Sequence, residues 1–163
     1  MPMPITIRPI RADFLLKARE AGLDDQNQPV VRLLAKGGEP CRDVLRKARP
    51  GEALILASYC PFSVPGPYKE YGAVYILAQA SNEAVRYDRF PLPTGSPLDY
   101  LRDKPFVLRA YSADERIVDA ELLHPAQAEA VLARFFANPE VSFVLARFAA
   151  YGCYALRIDR PAS

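Results

Sequence analysis

The side chains of this 163-residue chain best suited to nucleophilic or metal chemistry are three cysteines and one histidine: Cys41, Cys60, Cys153 and His124. A single histidine excludes a histidine-rich metal centre, and a catalytic triad would have to use His124 itself. His124 precedes Pro125 at an expected helix start, where an imidazole caps the helix or faces water, and no nucleophile stands near it in sequence. The cysteines are odd in number, far apart and without a CxxC pair. That pattern fits a reducing compartment and not a disulfide framework or zinc knuckle, so no metal and no cofactor is expected. Cys41 is the one candidate for thiol catalysis. In Pro40-Cys41-Arg42 it stands beside a cation near an expected helix start, and cation and helix dipole both favour a thiolate. The alternative is a small buried thiol next to a solvated arginine. Cys153 follows a tight turn in which Gly152 supplies a positive φ. One hairpin register sets Arg147 directly across from Cys153, and a slip of one residue moves them to opposite faces.

Arginines offer a second kind of chemistry. Arg109 in Phe106–Ala110 and Arg147 in Val144–Arg147 lie inside otherwise apolar strands, and Arg42 follows Cys41. Each lines a solvated face, or is buried and paired; Asp119 or Glu121 on the adjacent strand is the expected partner of Arg109. A buried guanidinium without an internal carboxylate takes an anionic ligand instead, because its fork matches carboxylate and phosphate. The connection Tyr59–Gly72 (YCPFSVPGPYKEYG) is the candidate binding surface, presenting Tyr59, Phe62, Tyr68 and Tyr71 among prolines and glycines. Its alternative is an ordered cover with the aromatics tucked into a minor core. No GxGxxG or GxxxxGK[ST] phosphate cradle occurs. The ligand-binding candidates are therefore Arg42, Tyr59, Tyr68, Arg109, Arg147 and Cys153.

These residues need elements to hold them. Asp13–Ala21 reads as a short helix capped by Asp13 and ended by Gly22, and Pro29–Lys36 as a strand. Cys41–Ala48 reads as one or two helical turns. The apolar runs Ala53–Tyr59 and Gly72–Ala80 predict buried strands. Phe106–Tyr111 and Arg116–Leu123 flank turn residues and predict a hairpin, as do Val141–Phe148 and Cys153–Asp159. Between the hairpins, Ala128, Val131, Leu132, Phe135 and Phe136 recur at helical spacing, with Pro125 at the start and Asn138-Pro139 at the stop. The prediction is a single α+β domain over 1–163: a mainly antiparallel sheet built from hairpins, with two or three helices covering one face. Residues 1–12 form an arm or edge strand and 160–163 a disordered tail.

Composition bounds the function. Half of the residues are hydrophobic and a quarter charged, and the mixed 21 basic and 19 acidic residues leave a formal charge of +2. That excludes bulk disorder and carries no field suited to nucleic acid. No run approaches a membrane helix, and MPMPITIRPIR lacks the apolar core of a signal peptide, so a cytoplasmic setting without membrane contact is expected.

Seven motifs add a resemblance. Pro40-Cys41-Arg42, Pro50-Gly51-Glu52, Ser58-Tyr59-Cys60-Pro61-Phe62, Pro67-Tyr68-x-x-x-Gly72, Arg109-Ala110-Tyr111, Val118-Asp119-Ala120 and Tyr151-Gly152-Cys153-Tyr154, in that order, resemble an uncharacterised bacterial family known only as a domain of unknown function. The resemblance runs from about Pro40 to Arg160. It implies the domain limits and a cytoplasmic bacterial setting, and no activity, substrate or cofactor. Members often carry a histidine or other polar residue at the end of the strand after the Pro-Tyr loop, where this chain has Leu77-Ala78. Three roles follow from the residues: a domain binding a small anionic ligand, a thiol or redox enzyme using Cys41, alone or with Cys153, or an interaction module or homodimer pairing an open sheet edge.

Overall fold

In the computed structural model, which describes residues 4–162, ten strands and two short helices share three apolar clusters. In chain order these are β1 (Thr6–Arg8), α1 (Ala12–Leu16, continued by a π turn over Lys17–Ala21), β2 (Val31–Leu34), β3 (Pro40–Cys41), β4 (Arg46–Lys47), β5 (Ala53–Tyr59) and β6 (Gly72–Leu77). There follow β7 (Phe106–Tyr111), β8 (Ile117–Leu123), α2 (Ala128–Ala137, entered by a turn over Pro125–Gln127), β9 (Phe143–Phe148) and β10 (Tyr154–Asp159). The strands form two five-stranded sheets instead of the single sheet expected. One has the order β1-β10-β9-β7-β8 and is antiparallel throughout. The other has the order β2-β5-β6-β3-β4 and is mixed, because β3 runs parallel to β6.

Alternation along the strands explains how the sheets meet. In β9, Val144 and Ala146 face the cluster under α2, while Phe143 and Leu145 face the cluster shared with the other sheet. Ile55, Ala57 and Tyr59 of β5 and Val74 and Ile76 of β6 supply the opposite side of that shared core. Phe14 and Ala18 of the first helix also pack into it, whereas α2 covers the outer face of the antiparallel sheet. The two helices thus serve different cores and do not jointly cover one face. The stripe Ala128, Val131, Leu132, Phe135 and Phe136 is the buried side of α2, as its spacing requires.

Local departures have local causes. The first helix begins at Ala12, not Asp13. The Asp13 carboxylate makes no cap; it receives the Arg11 guanidinium at 2.7 Å. Gly22 ends the segment in the left-handed region, φ 67°. Cys41–Ala48 is no helix but the tight pair β3–β4, in which Cys41 lies opposite Arg46. Leu45 closes its turn at φ 51°, a conformation that costs a non-glycine residue roughly 1–2 kcal/mol and that its packing against the core retains. The expected arm or edge strand contains β1, at the edge beside β10, with residues 1–3 outside the described chain. In the expected tail, Arg160 donates to the carbonyls of Val141, Phe136 and Asn138, and Ser163 lies outside the described residues.

Candidate functional site

β3 meets β6 at one pairing, Cys41 with Tyr75, before the chain turns away at Arg42. The Gly72–Val74 half of β6 therefore has β5 as its one ladder partner among the described residues. Beside this open half-edge lies a cleft of about 800 Å³, within the roughly 300–1,000 Å³ of small-molecule sites. The turn Lys36–Pro40, Leu56 and Tyr75 form one wall, and Arg147 with the Tyr151–Tyr154 turn of the β9–β10 hairpin the other. Glu70 and Tyr71 close it from the Tyr59–Gly72 connection. Five tyrosines line it: Tyr59, Tyr71, Tyr75, Tyr151 and Tyr154. Tyrosine gives an apolar body with a hydrogen-bonding tip, a surface suited to flat, partly polar molecules.

Arg42 is the unusual residue of this cleft. It is 3 % exposed and makes no ion pair among the described residues. Its guanidinium donates from Nε to the Tyr154 carbonyl at 2.8 Å, from Nη1 to the Pro40 carbonyl at 2.7 Å and from Nη2 to Cys153 Sγ at 3.1 Å. The Phe148 ring stacks against it, 5.2 Å from centroid to Cζ. Buried charge is ordinarily paired, because desolvating an ion costs several kcal/mol. Here three neutral acceptors and a ring replace the carboxylate. The surroundings are cationic as well: desolvation and then the neighbouring Arg102, Arg42 and Lys104 lower the pKa of the half-buried Lys47 ammonium.

Arg147 and Glu39, two further charges of the cleft, have partners within the chain. Arg147, 6 % exposed, pairs with Glu70 and donates from Nη1 to the Gly152 carbonyl at 3.1 Å, while its buried Nε has no acceptor among the described residues. The Glu39 carboxylate accepts the backbone N–H groups of Lys36 and Gly37 at 2.8 and 2.9 Å. Against a desolvation that raises it, these donors hold the Glu39 carboxyl below the usual range.

Sequence-predicted residues divide accordingly. Arg42, Tyr59, Arg147 and Cys153 meet in the cleft; Tyr68 and Arg109 are not among its lining residues. Arg109 is half-buried beside Leu145 and Ala120 and makes no ion pair among the described residues. Its expected partners Asp119 and Glu121 lie on the other face of β8 and both pair with Arg134 of α2. Arg147 stands across from Tyr154, not Cys153, with an irregularity after that pair. Cys41 is fully buried with its Sγ 3.6 Å from the Glu39 carbonyl. Burial, and then the Asp43 carboxylate, push its thiol up to about 12, where the sequence pointed to a lowered value. The helix start invoked to activate it is absent. His124 is exposed, its backbone N–H donating to Gln127 Oε1 at 3.0 Å, and it is not among the residues lining the cleft.

Tyr75, Glu70 and Lys36 are cleft residues that sequence reasoning did not reach. Tyr75 sits in an apolar run where a tyrosine reads as core. The connection Tyr59–Gly72 is part cover and part wall. Phe62 is buried against Tyr111 at 5.4 Å, while Tyr68 and Tyr71 are exposed. The buried Glu115 carboxylate pins its base by accepting the backbone N–H groups of Ser63 and Val64, each at 3.0 Å.

A family model described as "Protein of unknown function (DUF1203)" covers residues 38–160, a span that includes Arg42, Tyr75, Arg147 and Cys153. No curated protein and no solved structure matches the chain.

Proposed function

This chain belongs to the DUF1203 family of proteins of unknown function, and from its cleft we propose that it binds a small anionic molecule with a flat, largely apolar body. The observation that carries this reading is Arg42, a buried guanidinium on the cleft wall without a carboxylate partner among the described residues. Three of its five N–H groups are used by neutral acceptors, and a carboxylate or phosphate would supply the missing charge. Lys36 adds a further cation at the wall, the tyrosines provide the apolar surround, and the Tyr59–Gly72 connection closes the site through Glu70 on Arg147. Arg109 and Tyr68 have no part in it. A reducing bacterial cytoplasm suits the three free cysteines.

The test is calorimetric titration with a panel of aromatic carboxylates and phosphates beside their neutral amide or alcohol counterparts. At least one anion is expected to bind and its neutral counterpart to bind far more weakly. Arg42→Gln weakens that binding by about 10–100-fold, the worth of a hydrogen bond to a charged group. Because Arg42 also holds two backbone carbonyls, Lys36→Gln and Tyr151→Ala serve as companion variants at exposed wall positions, each weakening the same anion severalfold while the unfolding midpoint stays put. Equal binding of anion and neutral counterpart, or none of either, would refute the reading.

A further inference from the structure

Cys153 is the one cysteine on the cleft surface. It is partly exposed, whereas Cys41 and Cys60 are buried with their Sγ atoms directed at the carbonyls of Glu39 and Phe62, 3.6 and 3.5 Å away. Arg42 Nη2 donates to Cys153 Sγ at 3.1 Å, so negative charge developing on that sulfur meets a guanidinium already in place. An independent feature of the same wall points to a ligand. Arg147 is 6 % exposed, and beside its contacts with Glu70 and the Gly152 carbonyl its buried Nε–H has no acceptor among the described residues, an unsatisfied donor on the wall where an anionic group would lie.

We propose that Cys153 is a covalent capture site for small disulfides bearing carboxylates, held in the cleft as a mixed disulfide. The inference rests on the anion-binding reading of this cleft and adds a chemical step to it. The Cys153 sulfur, its proton given to water, attacks one sulfur of R–S–S–R. A bond from Sγ to that sulfur forms as the reagent's own S–S bond breaks, and the electron pair leaves with the second half as R–S⁻, which takes up a proton. One disulfide is consumed and one is made, so no further oxidant is needed. Once Sγ is bonded, it no longer carries charge, and Arg42 Nη2 is released to the carboxylate of the captured half. Cys41 and Cys60 are enclosed by the core, so neither is placed to resolve the adduct, which persists until an external thiol removes it. That makes Cys153 a modification site, not one half of a redox pair.

The experiment uses the full chain and three disulfides: anionic dithiobis(nitrobenzoate), neutral dithiodipyridine and cationic cystamine. Adducts are located by mass spectrometry of the folded protein and rates are compared with those of a small free thiol. A single adduct at Cys153 is expected, absent in Cys153→Ser. The anionic-over-cationic rate ratio should exceed that of the free thiol by about tenfold, the lower end of what a charged cleft does to association, and molar salt should erase the excess. The salt response is read on the unmodified chain, so it does not depend on any arginine variant folding. An unreactive Cys153, or a charge ratio equal to the free thiol's, overturns the proposal. Titration of nitrobenzoate, which has no disulfide, into Cys153→Ser separates the two readings. If it binds while the disulfide fails to add, only the thiol step falls. If it does not bind and no charge preference is seen, the anion cleft falls with it.

Discussion

At the scale of single residues, Arg42 and Cys41 show how adjacent side chains come to opposite fates. Arg42 begins the β3–β4 turn, and its backbone N–H donates to the Tyr75 carbonyl at 3.0 Å. This places its side chain toward the β9–β10 hairpin, while Cys41 points into the cluster of Ala35, Val44, Leu54 and Leu77. With its thiol pushed up to about 12 by burial, Cys41 should resist iodoacetamide at about pH 8 in the folded protein and react once denaturant exposes it. Modification of native Cys41 at the rate of a free thiol would show that the β3–β4 turn opens. An arginine within an apolar neighbourhood is visible in sequence, but its partner is not. Arg42, Arg109 and Arg147 look alike there, and their neighbours across space decide that the first has neutral acceptors, the second no ion pair among the described residues and the third Glu70.

At the scale of elements, the C-terminal half was legible because its contacts are local. Two hairpins and an amphipathic helix follow each other with short connections, so periodicity and turn residues specify them. The Cys41–Ala48 segment was not legible, since its apolar spacing permits a helix and the competing partner is β6, more than thirty residues later. Elements also set the site. Gly152 holds φ 70° in the turn that presents Cys153, and a Cβ there would meet nothing within 4 Å. Gly152→Ala therefore carries only the backbone penalty, roughly 1–2 kcal/mol, read as a lower urea midpoint with an unchanged slope. A larger loss would mean that the turn has a further structural duty. Leu132→Ala on the fully buried stripe of α2 should cost more, about 2–5 kcal/mol, because it leaves a cavity against the antiparallel sheet.

At the scale of the molecule, the division into two sheets was not written in any one strand. Apolar runs such as Ala53–Tyr59 announce burial on both faces, but which sheet lies opposite depends on contacts scattered from Ile10 to Tyr154. The cleft inherits that dependence, having one wall from each sheet. The edge of the mixed sheet is tied to the long irregular segment after β6 by one cation: Arg46 of β4 pairs with Glu52 at 2.8 Å and with Glu83 at 2.7 Å. The Arg46 hydrogen bonds lower both carboxyls, Glu52 to about 2. Because the folded value lies below the ordinary 4.5, this network stabilises the fold fully above about pH 4.5, and the contribution is lost as the pH falls toward 2. Asp43 acts in the opposite sense, since burial raises its carboxyl despite Arg19, so its protonation favours the folded state as acid is added. Glu52→Gln should therefore lower stability at about pH 7 by about 1 kcal/mol, a value kept small by the partial exposure of the pair. Urea unfolding repeated at about pH 2.5 should find the gap between variant and parent narrowed, as Glu52 of the parent's unfolded chain becomes protonated while the folded chain still holds it largely ionised. A gap that stays constant across that range would mean that Arg46 does not hold Glu52 ionised, and that the acid sensitivity of the fold originates elsewhere.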